Sequence, residues 1–206
     1  MIDVNTIRVV GRMEGEMTPD HEIEGKTIYA GTVRVLRASG TADRLRVHAA
    51  EEMAKKIGSA QGGEVCLTGR VRTHDAAPGM TPRVVMCLYA QEAEKVKEGE
   101  RAADSYVQLS GRLCKPPVYR TTPLGREICD LVVAVNRGYG KTAYVPCIAW
   151  GKNAARAAEY TRGTRVLISG RLQSREYDKM QAGQTVKLTT QEVSVFEIVR
   201  IAENDG

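Results

Sequence analysis

Aromatic rings and arginines are interleaved in two stretches of the second half of this sequence. TAYVPCIAW holds Tyr144 and the chain's single tryptophan, Trp150, and RVLISGRLQSREY holds a row of arginines that ends in Tyr177. Guanidinium groups bind phosphates, and exposed rings stack on bases of any sequence. A charged row alone is more often a solvated face. Rings interleaved with the charges favour a surface that binds single-stranded nucleic acid.

An internal repeat indicates which elements must position these residues. VVGRM at 9–13 returns as LSGRL at 109–113, at an offset of 100. VCLTGRVRT at 65–73 returns as VLISGRLQS at 166–174, at an offset of 101. Self-similarity at a fixed offset indicates that one structural unit is present twice. The two halves are therefore predicted to share one fold.

Each half is predicted to contain five short strands, with one helix between the third and the fourth. In the second half the helix is the Ala-rich GKNAARAAEYTRG, which ends in Gly163. This order of elements is typical of the five-stranded Greek-key barrel, the OB-fold. The predicted class is therefore all-β, with two tandem OB-folds. The strands of the second half are predicted at 105–114, 126–137, 143–150, 164–177 and 184–199, the last of them either continuous or broken.

The predicted domains are 1–97 and 104–202, joined by the charged segment EKVKEGERAADS at 94–105. The first domain lacks most of the rings of the second, so it is predicted to be degenerate and to serve structure or dimerisation. The second is predicted to bind the nucleic acid.

The repeat also predicts the orientation of Trp150. In RLRVHAA (44–50) apolar and charged residues alternate, and the charged row, Arg44, Arg46 and His48, must face solvent. At the offset of 100 the strand YVPCIAW has a core row of Val145, Cys147 and Ala149 and an outward row of Tyr144, Pro146, Ile148 and Trp150. The apolar pattern of this strand alone would place Trp150 in the core, and the repeat reverses that assignment.

The fourth strand of the second half alternates in the same way. Its predicted core row is Val166, Ile168, Gly170 and Leu172, and its outward row is Arg165, Arg171, Gln173, Arg175 and Tyr177.

The basic excess of the chain lies entirely in its second half. Residues 1–100 hold 14 Lys and Arg against 15 Asp and Glu, and residues 101–206 hold 16 against 10. The net charges are therefore −1 and +6, in agreement with +5 for the whole chain. Because phosphate affinity grows with the number of cations that displace counterions, the second half is predicted to carry most of the binding.

Several other classes of function are disfavoured. The sequence has no P-loop, no H-E-x-x-H and no G-x-S-x-G, so no enzyme, cofactor, metal site or small-molecule substrate is predicted. The five cysteines form no C-x-x-C and are interpreted as small buried residues of a reducing cytoplasm. The chain has no apolar run of the ~18 residues that a membrane-spanning helix needs, and its start is not a signal peptide. A cytoplasmic protein, encoded by a bacterium, a phage or a mobile element, is expected.

Residues 106–177 resemble the bacterial single-stranded-DNA-binding proteins of the OB-fold. The shared elements are G-R-L after the first strand, P-x-x-R-x-T-P-x-G, L-x-V-A-V-N-R, an aromatic-glycine pair before the helix, and G-x-x-V-x-I-x-G-R-L-x-x-R-x-aromatic. The first half resembles the family only through G-R-M, G-K-T and C-L-T-G-R. The resemblance implies a non-catalytic protein that binds single-stranded DNA with little sequence preference, in replication, recombination or repair.

The resemblance also implies roles for particular residues. The family's stacking rings fall on Tyr144, Trp150 and Tyr177, with another near Tyr139, where loop length varies. Its phosphate-binding cations fall on Arg120, Lys152 and Arg175, and proximity adds Arg112, Arg137 and Arg171. Two OB-folds in one chain imply a homodimer with four barrels. Because the sequence stops at RIAENDG, without the family's acidic tail, the usual recruitment of partner proteins is not expected. A primosome-type adaptor that chiefly binds proteins and an RNA-binding OB module stay open as alternatives.

Overall fold

The computed structural model describes residues 3–60, 62–75, 84–96, 105–138, 140–181 and 184–202. The strands are β1 (Asn5–Ile23), β2 (Lys26–Leu36), β3 (Ala42–Ala50), β4 (Val65–Asp75), β5 (Val84–Lys95), β6 (Tyr106–Leu113), β7 (Val118–Thr121), β8 (Glu127–Asn136), β9 (Thr142–Trp150), β10 (Arg165–Gln181) and β11 (Gln184–Arg200). The helices are α1 (Glu51–Gly58) and α2 (Lys152–Ala158). Neither of these described helices is long and apolar enough to cross a membrane.

Strand pairing closes a five-stranded barrel in each half. In the first half β1 pairs with β2, β2 with β3, β3 with β5, β5 with β4, and β4 with β1. In the second half the same cycle runs through β6, β8, β9, β11 and β10, and returns to β6. The pairs β3–β5 and β9–β11 are parallel. The predicted fold class, two OB-type barrels with one short helix each, is confirmed.

Packing divides the chain into two compact units. The first unit comprises residues 7–105 and 173–191, and the second unit comprises residues 1–6, 106–172 and 192–206. Each unit thus contains one barrel core together with a short segment from the other half of the sequence. The domain bounds of 1–97 and 104–202 stay a prediction.

Most of the predicted core rows are buried as expected. In the first unit Leu45, Val47 and Ala49 are fully buried. In the second unit Val145, Cys147 and Ala149 of β9 and the row Val166, Ile168, Gly170 and Leu172 of β10 are buried. The outward orientation predicted for Tyr144 and Trp150 is confirmed, since their exposed fractions are 51% and 37%.

Two residues predicted to face solvent are buried, and they are equivalent in the repeat. His48 is 3% exposed and Ile148 is 4% exposed. The rings of His21 and His74 lie over His48, each with its centroid 5.4 Å from that of His48. On the neighbouring strands Ile148 lies opposite two residues with short side chains, Asp130 and Ser194. Larger side chains nearby on the same face of the sheet can therefore cover it. The alternation correctly predicted that both side chains lie on the outer face of their strands. It did not predict that other side chains bury them there.

Gln173 is a third exception to the predicted outward rows, because it is buried. In the same unit its neighbour Ser174 donates from its backbone N–H to Asp43 Oδ1 at 2.7 Å, and Arg37 also pairs with this carboxylate. Asp43 is itself buried. This stretch of β10 is therefore packed against the start of β3 instead of facing solvent.

The predicted strand positions of the second half are confirmed to within a few residues, and β11 is continuous. The short β7 was not predicted, because the two prolines before it obscure a strand pattern. The predicted helix extended to Gly163, whereas α2 ends at Ala158. β5 reaches Lys95, inside the predicted linker, and residues 97–104 of that linker lie outside the described residues.

The glycines of the repeated G-R motifs are required by close backbone approach. A Cβ on Gly11 would collide with the carbonyl oxygen of Arg34, and a Cβ on Gly111 with that of Ala134. The glycine of the later motif, Gly170, faces the carbonyl of Ser194 in the same way. Any side chain at these positions would force the neighbouring strand of the barrel away.

Candidate nucleic-acid interface

The register of the second barrel places a cation and a ring in one row across three strands. Arg120 of β7 lies opposite Ile128 of β8, and Ile128 lies opposite Trp150 of β9. Residues directly opposite one another in a sheet project from the same face. Arg120 and Trp150 are therefore about 10 Å apart across the strands, on the outside of the barrel.

A second row on the same face repeats this arrangement. Arg112 of β6 lies opposite Ala134 of β8, and Ala134 lies opposite Tyr144 of β9. Arg165 of β10 lies opposite Arg112 and extends the row by one more cation. Tyr144 and Trp150 are six positions apart along β9, which is about 20 Å, so each ring would stack on a different base. We call these cations and rings, of which Arg165 is half-buried, the outer face of the second barrel.

Phe196 is a ring of this face that the sequence analysis did not assign to the site. β9 and β11 run parallel, and Ile148 lies opposite Ser194. Trp150 and Phe196 each lie two residues further along their strands, so this register aligns Phe196 with Trp150. The side-chain amide of Asn153, at the start of α2, donates to the carbonyl of Phe196 at 2.9 Å. Phe196 is 52% exposed, and the guanidinium carbon of Arg171 lies 5.9 Å from its ring centroid.

The chain does contain a signal for Phe196. Val193 and Val195 are buried, so the alternation of β11 places the next residue on the outside. A phenylalanine in the apolar run VSVFEIV nevertheless resembles a core residue by composition.

The remaining predicted cations of the second unit lie at its surface to different extents. Lys152 is exposed in the first turn of α2, two residues after Trp150. Arg137 is half-buried, and its backbone N–H donates to the carbonyl of Lys141 at 2.9 Å. Arg112 is exposed and donates through its guanidinium to the carbonyl of Gly163 at 3.0 Å. Tyr139 lies outside the described residues.

Arg175 and Tyr177, also predicted site residues, belong to the first unit. They are two positions apart, on the same side of β10. The guanidinium carbon of Arg175 lies 5.6 Å from the Tyr177 ring centroid. Arg175 is exposed and Tyr177 is half-buried. The pair places a cation beside a ring, and its role in DNA binding stays a prediction.

Two arginines of the second unit are held by carboxylates. Arg120 Nε donates to Asp130 Oδ2 at 2.8 Å, and this hydrogen bond raises the pKa of the Arg120 side chain. Arg165 donates to Asp3 Oδ1, also at 2.8 Å. Both members of the Arg120 pair are substantially exposed, so the pair adds little stability and a phosphate can compete for the guanidinium.

The equivalent face of the first barrel has different chemistry. Arg44 is paired with Glu14 at 3.0 Å, and the guanidinium of Arg72 lies 3.4 Å from the centre of the Tyr89 ring. Ala50 stands at the position of Trp150, and His48 at that of Ile148. A ring covered by a guanidinium is less available to a base, and no ring stands at the position of Trp150.

Comparison with known proteins finds one family. The family model described as the single-strand binding protein family matches residues 104–199. Single-stranded DNA-binding protein 1 of Staphylococcus aureus (strain COL) is 37% identical over 90 residues, which are 40% of this chain and 53% of that protein. Single-stranded DNA-binding protein B of Bacillus subtilis (strain 168) is 37% identical over 90 residues, again 40% of this chain but 79% of that protein.

The first relative also shows that the chain spans about half the length of several curated proteins that it matches. Among solved structures, the wild-type single-stranded DNA binding protein from Thermus aquaticus superposes with a TM-score of 0.78 and 19% identity. The alignment covers 100% of this chain and 97% of that one. At this identity the likeness is one of fold, and it extends over both barrels.

Proposed function

The chain belongs to the single-strand binding protein family, and on that premise we propose that it binds single-stranded DNA without catalysis and with little sequence preference. The observation that carries this proposal is the register of the outer face of the second barrel. It aligns Arg120 with Trp150 and Arg112 with Tyr144 on one exposed surface. Cations alternating with rings suit a strand whose phosphates and bases alternate.

Each group has a distinct role in this proposal. Trp150, Tyr144 and Phe196 stack on bases, at about 1–3 kcal/mol for each stacked base. Arg112, Arg120, Arg171 and Lys152 bind phosphates, with Arg137 near the end of β8 as a further cation. Tyr139, Arg175 and Tyr177 are further DNA-binding residues that the family resemblance implies. No base edge has to be read, so sequence preference is low.

We further propose that the second barrel contributes most of the affinity. The net charge of +6 in residues 101–206 against −1 in residues 1–100 supports this asymmetry. The ring of Tyr89 in the first barrel, which the guanidinium of Arg72 covers, supports it as well. The first domain (1–97) then serves assembly, and two chains form a homodimer of four barrels that protects DNA during replication, recombination or repair in the bacterial cytoplasm.

The test is a titration of the full chain with oligo(dT), followed by the fluorescence of Trp150, which is the single tryptophan. Stacking on the indole should quench the emission. Poly(U) and duplex DNA are titrated at the same salt concentration, because affinities measured at different salt are not comparable. Tighter binding of oligo(dT) than of either competitor supports the proposal. Preference for poly(U) would indicate an RNA-binding module, and no binding to any of the three would indicate a protein-binding adaptor.

The homodimer has its own measurement. Light scattering during gel filtration should give twice the chain mass of 22.5 kDa in the absence of DNA. A mass of one chain at micromolar concentration would contradict it without affecting the DNA-binding proposal.

A further inference from the structure

All three histidines of the chain meet on the outside of the first barrel. The ring centroids of His48 lie 5.4 Å from those of His21 and of His74, and the last two are 6.1 Å apart. Asp20 joins them, with its Oδ2 atom 2.8 Å from Nδ1 of His21 and 3.8 Å from Nε2 of His48. Three strands separated by long stretches of sequence supply these groups.

A thiol from a fourth strand adjoins this cluster. Cys87 of β5 lies opposite Arg72 of β4, and His74 follows Arg72 by two residues on the same face. His48 lies opposite Tyr89, two residues after Cys87. One ligand atom each from His48, His74 and Cys87 lie within 4.8 Å of one another. One ligand atom each from Asp20, His21 and His48 likewise lie within 4.8 Å of one another.

These distances are close to those of a tetrahedral metal site. With metal–nitrogen bonds of about 2.1 Å and a metal–sulfur bond of about 2.3 Å, neighbouring ligand atoms are roughly 3.4–3.7 Å apart. Side-chain movements of about an ångström would therefore bring the ligand atoms of His48, His74 and Cys87 to the separations found in a zinc site. Imidazole and thiolate together are the ligands that favour zinc over magnesium or calcium.

Two members of the cluster, His48 and Cys87, are buried, whereas His74 and Asp20 are exposed. His48 is 3% exposed and Cys87 is 1% exposed. Among the described residues, Nε2 of His48 has no hydrogen-bond partner, although its residue is buried. A buried polar nitrogen without such a partner destabilises a fold, so an ordinary core histidine does not explain this one.

We propose that His48, His74 and Cys87 bind a Zn²⁺ ion on the outside of the first barrel, and that the Asp20–His21 pair completes its coordination. The ion would give Nε2 of His48 a partner. It would also join β1, β3, β4 and β5, four of the five strands of that barrel. The sequence alone predicts no metal ligands, because no two of these residues have the short spacing of a zinc motif. The strand pairing brings them together.

The experiment uses the full chain without an affinity tag, freed of metal with a chelator that is then removed. Isothermal titration with Zn²⁺ should give one site for each chain, and the melting temperature should rise with added Zn²⁺ and fall again with chelator. Titration with Co²⁺ should give a thiolate-to-cobalt charge-transfer band. This absorption reports whether the sulfur is bound, independently of stability.

Variants identify the ligands. His74→Ala changes an exposed side chain and should weaken Zn²⁺ binding by at least about tenfold without unfolding the barrel. Cys87→Ser should abolish the charge-transfer band. Cys66→Ser, which changes another thiol of the same unit, is the matched control and should leave both binding and absorption unchanged.

Three outcomes would overturn the proposal. The first is the absence of a one-to-one site in the unmodified chain. The second is Zn²⁺ binding that survives both His74→Ala and Cys87→Ser, and the third is an equal loss in Cys66→Ser. DNA affinity is measured separately on the metal-free protein, so failure of the metal site and failure of the proposed function are distinguishable.

Discussion

Trp150 lies directly opposite Ile128 in the β8–β9 ladder, and the two differ sharply in exposure, at 37% and 2%. In the proposed function the indole therefore has two roles that can be separated. Opposite side chains on one face of a sheet are close enough to interact, so the indole can cover Ile128 while its exposed part stays open to a base. The apolar pattern of β9 alone could not distinguish a core tryptophan from an exposed one, and the register of the repeat was needed to do so.

Replacing Trp150 with alanine should weaken binding of labelled oligo(dT) by about 1–3 kcal/mol, the value of one stacked base. Trp150→Phe keeps a ring over Ile128 and should lose less. Tyr119→Ala is the matched control, because Tyr119 is equally exposed but projects from the other side of β7 and donates to Glu127. Fluorescence anisotropy of the labelled DNA measures all three. Loss of the fold in Trp150→Ala, with DNA binding intact in Trp150→Phe, would show that packing over Ile128 is the main role.

The Arg120–Asp130 ion pair leads to a prediction about salt. The logarithm of affinity should fall with the logarithm of salt concentration, with a slope of roughly −0.7 for each phosphate neutralised on a single strand. Arg120→Ala should flatten this slope by less than about one unit, for every base composition tested. Asp130→Asn removes the competing carboxylate and should strengthen binding at low salt.

The control for this experiment is Arg44→Ala in the first barrel. Its guanidinium is paired with Glu14, as that of Arg120 is paired with Asp130. If the outer face of the second barrel carries the binding, this change should leave the slope almost unaltered. A slope that changes equally in both variants would contradict that assignment.

The glycines of the G-R motifs predict a difference in stability. Gly111→Ala directs a Cβ at the carbonyl of Ala134 and should destabilise the chain by about 1–3 kcal/mol or more, since the strand cannot move without opening the barrel. Gly58→Ala is the control, because a Cβ there meets nothing within 4 Å at the end of α1. That change should be neutral or stabilise by up to about 1 kcal/mol. Urea unfolding followed by circular dichroism measures both, and equal effects would contradict the packing argument.

The repeat predicted the two barrels, the strand order and the outward face of Trp150, because alternation and self-similarity are properties of the backbone path. It did not predict the burial of His48 and Ile148, which depends on side chains brought over them by other strands. The histidine cluster was hidden for the same reason. His21, His48 and His74 are far apart in sequence and become neighbours only through pairing across the barrel. Phe196 was missed because an aromatic in an apolar run is ordinarily a core residue.

The asymmetry between the barrels gives the last prediction, and full-length variants test it better than fragments. Cutting the chain at residue 100 would separate residues 173–191 from the unit in which they pack. The double change Trp150→Ala and Tyr144→Ala removes two rings from the second barrel. At about 1–3 kcal/mol for each stacked base, it should weaken oligo(dT) binding by at least about tenfold.

The matched double change in the first barrel is Arg44→Ala and Arg46→Ala, at the positions equivalent to Tyr144 and Pro146 in the same outward row. It removes two positive charges and no ring. It should therefore weaken binding only a few-fold at low salt, and the difference should fade as salt screens the charges. Titrations at two salt concentrations, on variants whose melting temperatures match the wild type, decide between the two barrels. Equal losses from both double changes would mean that the barrels share the strand, and that the first one is more than a partner in assembly.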